Sequence, residues 1–299
     1  MSLLRKTKKR SKKMSDKLKN FIVRTLSGAV LLAIVLGAST CFDAYWVLLF
    51  VIMTIGMWEF YRIAEAVECR PRKALGLASG LMLFGATLLC VMEVAGMADV
   101  GVAAIAGTVL FILLCFAIFA VELFGVTERP LRNVASTMLG VVYVAVPMAI
   151  MTFIPLLLSG GVWAPWYFLF YLFIVWGNDV FAYLVGITLG RHRLCERISP
   201  KKSWEGFFGG IAGALGVGAV AAWVLDDSYA LWLGLAAVVA VTSVVGDLVE
   251  SMFKREAGIK DSGNILPGHG GMLDRFDALI YSAPFALVYL VIMELVNML

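Results

Sequence analysis

Residues 100–121 read VGVAAIAGTVLFILLCFAIFAV, twenty-two residues without a charged side chain. At a rise of about 1.5 Å per residue, a helix of this length crosses the roughly 30 Å hydrocarbon core of a bilayer. Eight further apolar segments bring the candidate spans to residues 21–39, 45–61, 74–92, 100–121, 134–157, 165–189, 207–225, 229–249 and 276–298. The sequence therefore predicts an all-α polytopic integral membrane protein with about nine transmembrane helices.

The overall composition excludes a soluble globular domain. Of the 299 residues, 61% are hydrophobic and 15% are charged, whereas soluble domains carry about 45–50% and about 25%. The five cysteines show no C-x-x-C spacing. We therefore expect neither a zinc site nor a disulfide framework.

The distribution of positive charge predicts the orientation. Nine of the first nineteen residues are Lys or Arg, and with nine spans all 25 cations fall in the tail and in loops on one side. The positive-inside rule then places the amino terminus in the cytosol and the carboxy terminus outside. A basic run can also bind nucleic acid, but anchoring of the first span is the favoured interpretation, and no nucleic-acid partner is expected.

Three regions follow from this organisation. Residues 1–20 form a basic cytosolic tail, residues 21–160 form N-terminal transmembrane framework helices, and residues 161–299 form a catalytic transmembrane region. The last region contains two polar cytosolic loops, 190–206 and 250–275. Glycines recur in the seventh span, a pattern that close helix packing explains without a ligand.

The residue types in these two loops indicate phosphate chemistry. Cations suit phosphate oxygens, glycines let a backbone approach an anion, and carboxylates suit Mg²⁺ bound to phosphates. The cations are Lys201, Lys202, Lys254, Arg255, Lys260 and Arg275, and the acids are Asp247, Asp261, Asp274 and Asp277. An ordinary positive-inside loop explains the cations but not the aspartates or the Pro-Gly-His-Gly-Gly run at 267–271.

Three acids lie within the spans, where an ionisable group costs at least about 2.5 kcal/mol and is a functional candidate. Tyr183 lies one helical turn after Asp179. These two polar side chains within a span predict a polar cavity that is reached from the cytosol. Asp247 belongs to the polar loops already described. Glu59 has Arg62 at i+3; a structural ion pair is favoured for it, and a functional role is left open.

The polar segments resemble the signature of the phosphatidate cytidylyltransferases, the CDP-diacylglycerol synthases. The longest matching stretch reads Ser251-x-x-Lys254-Arg255-x₄-Lys260-Asp261-x-Gly263-x₃-Pro267-Gly268-His269-Gly270-Gly271-x-x-Asp274-Arg275-x-Asp277. Three shorter stretches also match: Asn178-Asp179-x-x-Ala182-Tyr183, Ser199-Pro-Lys-Lys-Ser-Trp-Glu-Gly206 and Gly246-Asp247-x-x-Glu250-Ser251. The resemblance covers residues 170–290 strongly.

The resemblance implies a nucleotidyltransferase that converts CTP and phosphatidate into CDP-diacylglycerol and pyrophosphate for phospholipid biosynthesis. It further implies Mg²⁺ at two metal sites, held by Asp247 and Asp274. The residues expected to be catalytic are Asp247, Lys260, His269, Asp274 and Arg275. Those expected to bind substrate are Asp179, Tyr183, Lys201, Lys202, Ser203, Ser251, Lys254, Arg255, Asp261, Gly268, Gly270, Gly271 and Asp277.

Two other functions stay open at this point. One is a CTP-dependent polyprenol or dolichol kinase, against which the Pro-Gly-His-Gly-Gly-x-x-Asp-Arg run argues. The other is a transporter using Asp179 as a coupling site, although no paired halves with broken helices are visible in the sequence. The expected location is the plasma membrane, as in a bacterial inner membrane, with the active site facing the cytosol. The oligomeric state is open, with a homodimer as one option.

Overall fold

Eight helices of the described residues are long and apolar enough to cross a membrane. The computed structural model describes residues 22–23, 25–125 and 127–298, so the predicted basic tail 1–20 lies outside the described residues. The helices, numbered along the chain, are α1 Thr25–Ser39, α2 Phe42–Ala66, α3 Lys73–Val94, α4 Gly101–Phe124, α5 Pro130–Met151, α6 Ile154–Leu158, α7 Pro165–Leu189, α8 Trp204–Leu225, α9 Tyr229–Glu256 and α10 Leu273–Asn297. The predicted all-α polytopic class is confirmed.

The first predicted span differs from the other eight. Within the described residues this span contains α1, an apolar helix that is shorter than the eight long helices that follow it. The orientation of the two termini stays a prediction. The division into framework and catalytic regions likewise stays an interpretation of the sequence.

The fifth predicted span, 134–157, is wrong at its end. Helix α5 ends at Met151, and the short helix α6 begins at Ile154 with a proline in its first turn. Pro155 has no backbone N–H to donate into a continuing helix, so the helix stops before it. Inside α5 a π-helical turn at Val141–Ala145 ends two residues before Pro147, and it carries the buried Tyr143.

Helix α9 is longer than the predicted eighth span, 229–249. It continues to Glu256, so residues 250–256, which were expected in a loop, are helical. Their polarity ends the apolar run without ending the helix, because Glu, Lys and Arg are good helix formers. Glu250 and Lys254 form an i,i+4 ion pair on this extension, which supports it further.

The predicted loop 190–206 contains a two-stranded antiparallel hairpin. Strand β1 spans Arg193–Cys195 and strand β2 spans Ser199–Ser203, with Arg193 opposite Ser203. Helix α8 begins directly after β2, and the Ser203 hydroxyl caps it by accepting from the Gly206 backbone N–H at 3.1 Å. The hairpin therefore leads directly into a membrane helix.

Close packing of α7 against α8 requires the glycines of α8. A Cβ at Gly209 would lie 2.5 Å from the Val185 side chain, and one at Gly213 would lie 2.4 Å from the Phe181 ring. The predicted role of these glycines in helix packing is confirmed at both positions.

A buried polar network ties α4 to the neighbouring framework helices. The Glu122 carboxylate accepts from Arg72 Nε at 2.6 Å, Thr127 Oγ1 at 2.5 Å and Asn133 Nδ2 at 2.8 Å. Glu122 is buried at the end of α4, which otherwise buries little of its surface. Its partners belong to the start of α3, the α4–α5 connection and α5, so a single carboxylate joins three elements.

Candidate active site

One cavity collects most of the side chains that the sequence predicts for the site. It has a volume of about 880 Å³ and lies between the end of α7, the hairpin, the end of α9, residues 257–272 (the signature loop) and the start of α10. The predicted residues that line it are Asp179, Tyr183, Lys201, Lys202, Ser203, Asp247, Ser251, Lys254, Arg255, Lys260, Asp261, Asp274, Arg275 and Asp277. Gly268, His269, Gly270 and Gly271 lie in the signature loop but do not line the cavity.

Three carboxylates meet in this site. One oxygen each of Asp247, Glu250 and Asp277 lies within 4.8 Å of the others, and together they could hold a metal ion. Glu250 is fully buried, and its Oε1 has no hydrogen-bond partner within the described structure. A buried acceptor without a partner is uncommon and calls for an explanation such as an ion or a water.

The sequence interpretation omitted Glu250 from the site. Its spacing of i+3 from Asp247 places both carboxylates on one face of a helix, and this was the available signal. Because a loop was expected to begin at residue 250, this helical spacing of Asp247 and Glu250 was not used. Tyr143 was also omitted; its buried hydroxyl has no hydrogen-bond partner in the described part of the chain.

Two lysines neutralise part of this negative charge. Lys202 Nζ from the hairpin lies 2.6 Å from Asp247 Oδ2. Lys254 Nζ lies 2.5 Å from Glu250 Oε2 and 2.6 Å from Asp274 Oδ1. Four carboxylates thus face two ammonium groups in this part of the cavity.

Asp274 is held by donors on both of its oxygens. Oδ1 accepts from Lys254, and Oδ2 accepts from the backbone N–H groups of Ser262 and Gly271, both at 2.8 Å, and from Ser262 Oγ at 3.0 Å. The carboxylate therefore organises the signature loop. Its expected role as a metal ligand stays a prediction, because the acidic trio contains Asp277 and Glu250 in its place.

The cations on the cavity wall differ in whether a carboxylate engages them. Among the described residues, no ion pair includes Lys201, Arg255, Lys260 or Arg275. Arg275 Nε donates instead to the His269 carbonyl at 2.9 Å, and Arg255 Nη1 donates to the Ile259 carbonyl at 3.1 Å. These cations retain donors for an anionic ligand.

The Pro-Gly-His-Gly-Gly run forms a tight turn. The Leu266 backbone N–H donates to the Gly270 carbonyl at 3.0 Å, and the His269 N–H donates to the Leu266 carbonyl at 2.9 Å. Gly268 and Gly270 have φ values of 75° and 85°, which glycine adopts without steric cost. The geometry thus explains both glycines as turn residues, and their expected contact with substrate stays a prediction.

His269 contacts the first helix rather than the cavity. Its Nδ1 lies 2.7 Å from Ser27 Oγ, and the same hydroxyl donates to the Pro267 carbonyl at 2.8 Å. A Cβ at Gly28 would lie 3.1 Å from the imidazole, so α1 packs closely on the turn. The catalytic role expected of His269 stays a prediction.

Asp179 and Tyr183 lie on α7 and line the cavity. The Asp179 carboxylate interacts electrostatically with Lys202, Asp247 and Arg275. A polar side chain in the middle of an apolar helix therefore faces the charged site. The predicted polar cavity at this point is present.

The favoured ion pair between Glu59 and Arg62 is wrong. Glu59 is buried and accepts hydrogen bonds from Ser262, Met272 and Leu273, whereas Arg62 is exposed. The two side chains point to different environments because packing of α2 against the signature loop buries one helix face. The sequence-local partner at i+3 was the wrong one.

Comparison with known proteins shows the family to which the chain is similar. A family model described as the cytidylyltransferase family matches residues 22–293, most of the chain. The chain is also similar to phosphatidate cytidylyltransferases of Synechocystis sp., with 46% identity over 121 residues, and of Staphylococcus saprophyticus, with 46% identity over 127 residues. A Staphylococcus aureus protein of the same name is 44% identical over 127 residues.

These matches are partial in length. They cover 40% of this chain and 41% of the Synechocystis protein, and 42% of this chain and 49% of each staphylococcal protein. The chain thus covers less than half the length of each of these relatives.

Proposed function

The chain belongs to the cytidylyltransferase family, and from this membership we propose that it transfers CMP from CTP to phosphatidate, giving CDP-diacylglycerol and pyrophosphate. The observation that carries the proposal is the cavity, where three clustered carboxylates adjoin lysines and arginines. Neighbouring apolar lining, including Ile187, Leu194 and Phe207, suits the non-polar part of a lipid. Phosphatidate cytidylyltransferase is also the name of the similar proteins.

The reaction makes one bond and breaks one. A phosphate oxygen of phosphatidate attacks the α-phosphorus of CTP, and the bond from that phosphorus to the oxygen bridging the β-phosphate breaks. The nucleophile is already an anion, so the site needs no side chain to remove a proton. What the protein supplies is in-line positioning and neutralisation of charge.

The cavity cations fit this requirement. Lys201, Lys260 and Arg275 retain donors that can bind phosphate oxygens, and Arg275 can present a planar fork to two of them. Lys202 and Lys254 pair with carboxylates and also line the cavity, so each can exchange its carboxylate for a phosphate. Each exchange moves positive charge toward the triphosphate.

The donor set fits a hard divalent cation, and we assign Mg²⁺ as the cofactor. Carboxylate oxygens are the ligands that Mg²⁺ prefers, and the unpartnered Glu250 Oε1 lies in the acidic trio. Asp247, Glu250 and Asp277 would hold one ion, and Asp274 would serve a second once Lys254 leaves it. When bound, such ions neutralise phosphate charge and polarise the attacked phosphorus.

The location follows from the two substrates. Phosphatidate keeps its chains in the bilayer while its headgroup meets soluble CTP, so the cavity must be open to both phases. We place it on the cytosolic face of a bacterial inner membrane, where the positive-inside rule puts the hairpin and the signature loop. The basic loops and the bacterial sources of the similar proteins support this placement.

The deciding experiment follows the label of CTP. Purified protein is incubated with phosphatidate, Mg²⁺ and CTP that carries radioactive phosphorus at either the α or the γ position. We expect the α label, and not the γ label, to appear in a lipid. Transfer of the γ label would indicate a lipid kinase, and a lipid product with neither label would exclude both activities.

A further inference from the structure

Glu59 forms a polar connection between helix α2 and the signature loop. Its Oε1 accepts from the Met272 N–H at 3.0 Å, and its Oε2 accepts from the Leu273 N–H at 2.8 Å and from Ser262 Oγ at 3.1 Å. Its side chain comes from α2, whereas its three donors lie more than two hundred residues later in the chain. Only 1% of the Glu59 surface is exposed.

The carboxylate takes the place of a missing helix cap. Helix α10 begins at Leu273 and has no side-chain cap of its own, although the first N–H groups of a helix lack partners within it. Glu59 satisfies two of these N–H groups, and its negative charge lies at the positive end of the helix dipole. This accounts for a buried carboxylate that forms no ion pair within the described part of the chain.

Glu59 is also connected to Asp274 through the Ser262 hydroxyl. Ser262 Oγ lies 3.1 Å from Glu59 Oε2 and 3.0 Å from Asp274 Oδ2. A hydroxyl has one proton and donates to one acceptor at a time, so the two carboxylates compete for the same donor. The Ser262 backbone N–H holds Asp274 at 2.8 Å in addition.

Two glycines of the family signature are explained by this carboxylate. A Cβ at Gly263 would lie 2.3 Å from Glu59 Oε1, and one at Gly271 would lie 2.5 Å from Glu59 Oε2 and 2.2 Å from Ser262 Oγ. Any larger residue would push the loop away from α2. The loop therefore packs against Glu59 at both Gly263 and Gly271.

We propose that Glu59 is a positioning residue for the active site, fixing the signature loop at Ser262 and at Met272–Leu273 so that Asp274 faces Lys254 and the cavity. It touches no substrate, and it acts through Ser262 and the start of α10. The expected effect on catalysis rests on the proposed function, whereas the contact between Glu59 and the signature loop does not. The framework half of the chain thus contributes to the geometry of the catalytic half.

The test compares Glu59→Gln with Glu122→Gln. Both replace a buried, hydrogen-bonded carboxylate of the framework helices with an amide of the same shape, one end of which can no longer accept. Glu122 contacts Arg72, Thr127 and Asn133 and does not line the cavity. It therefore controls for loss of stability without a connection to the loop.

For Glu59→Gln we expect kcat to fall at least about tenfold, with the KM for CTP changed less than about threefold. Hydrogen exchange should also become faster in peptides covering residues 262–273. Glu122→Gln should keep kcat within about twofold of wild type and leave exchange in those peptides unchanged. This should hold even if its melting temperature falls as far as that of Glu59→Gln. Equal losses of kcat in the two variants would overturn the proposal.

Two further arms separate the possible failures. If the wild-type protein makes no CDP-diacylglycerol, the proposed function fails, and the exchange comparison still decides whether Glu59 holds the loop. Unchanged exchange in Glu59→Gln would reject that role.

If Glu59→Gln does not fold, the variant Ser262→Ala replaces it, because this change removes only the bridging hydroxyl. We expect kcat to fall about two- to tenfold in this variant. A kcat equal to that of wild type would contradict the proposal.

Discussion

Lys254 Nζ lies 2.6 Å from Asp274 Oδ1 and joins the end of α9 to the start of α10 at the edge of the cavity. The same ammonium group contacts Glu250 Oε2, so one cation serves two carboxylates from different helices. Both carboxylates are almost fully inaccessible, with side-chain exposures of 5% and 1%. Removal of the cation would leave two buried carboxylates without this counter-ion.

Lys254→Met should therefore destabilise the protein strongly. Removing one partner of a buried ion pair costs about 3–5 kcal/mol, because the remaining charge is uncompensated. The matched control is Lys73→Met, which breaks an ion pair to the half-exposed Glu65 and should cost about 0–1 kcal/mol. Thermal unfolding in detergent, followed by circular dichroism, gives the comparison. Equal melting temperatures for the two variants would contradict the buried pair.

Asp247→Asn should lose at least about a hundredfold in product formation. The variant keeps the shape of the side chain but removes the charge that would bind a cation and that engages Lys202. Asp43→Asn changes an exposed carboxylate at the start of α2 and should have no such effect. Chelation with EDTA should abolish the wild-type reaction and Mg²⁺ should restore it. Turnover of Asp247→Asn within tenfold of wild type would remove Asp247 from the role assigned to it.

Ser27→Ala and His269→Ala should have similar and moderate effects. His269→Ala removes the contact of Nδ1 with Ser27, and Ser27→Ala removes that contact together with the hydrogen bond to the Pro267 carbonyl. Each such hydrogen bond is worth about 0.5–1.5 kcal/mol. We expect kcat to fall no more than about tenfold in each variant. The kcat of the double variant should be only slightly below that of the less active single variant. A thousandfold loss in His269→Ala with a silent Ser27→Ala would show that His269 acts on the substrate.

The orientation of the chain can be tested at two turns. Helices α8 and α9 are joined by residues 226–228, so this turn lies at the opposite ends of both helices from the hairpin and the signature loop. A reporter fused after Asp227 should be external, and one fused after Asn264 should be cytosolic, because the basic loops lie inside. A cytosolic signal after Asp227 would invert the topology.

The sequence predicted many residues of the site but not the contacts between residues that lie far apart in the chain. The sequence predicts Asp247, Lys202 and Lys254 as site residues from their types and from the signature, and all three line the cavity. It does not predict that Lys202 pairs with Asp247, because the two residues lie on separate elements. Glu59 shows the same limit more sharply: its nearest basic neighbour suggested Arg62, while its real partners come from the other end of the chain.

The sequence by itself determined the membrane class and the approximate positions of the helices, because crossing hydrocarbon requires about twenty apolar residues whose backbone hydrogen bonds close within the segment. It also predicted most of the charged residues that line the cavity, because charged runs stand out against apolar spans. Only the tertiary structure decided which carboxylates meet. Glu250 and Asp277 lie beside Asp247, and Glu59 lies at the start of α10, because helix packing sets these distances, and a pattern within one segment carries no information about the helix packed against it.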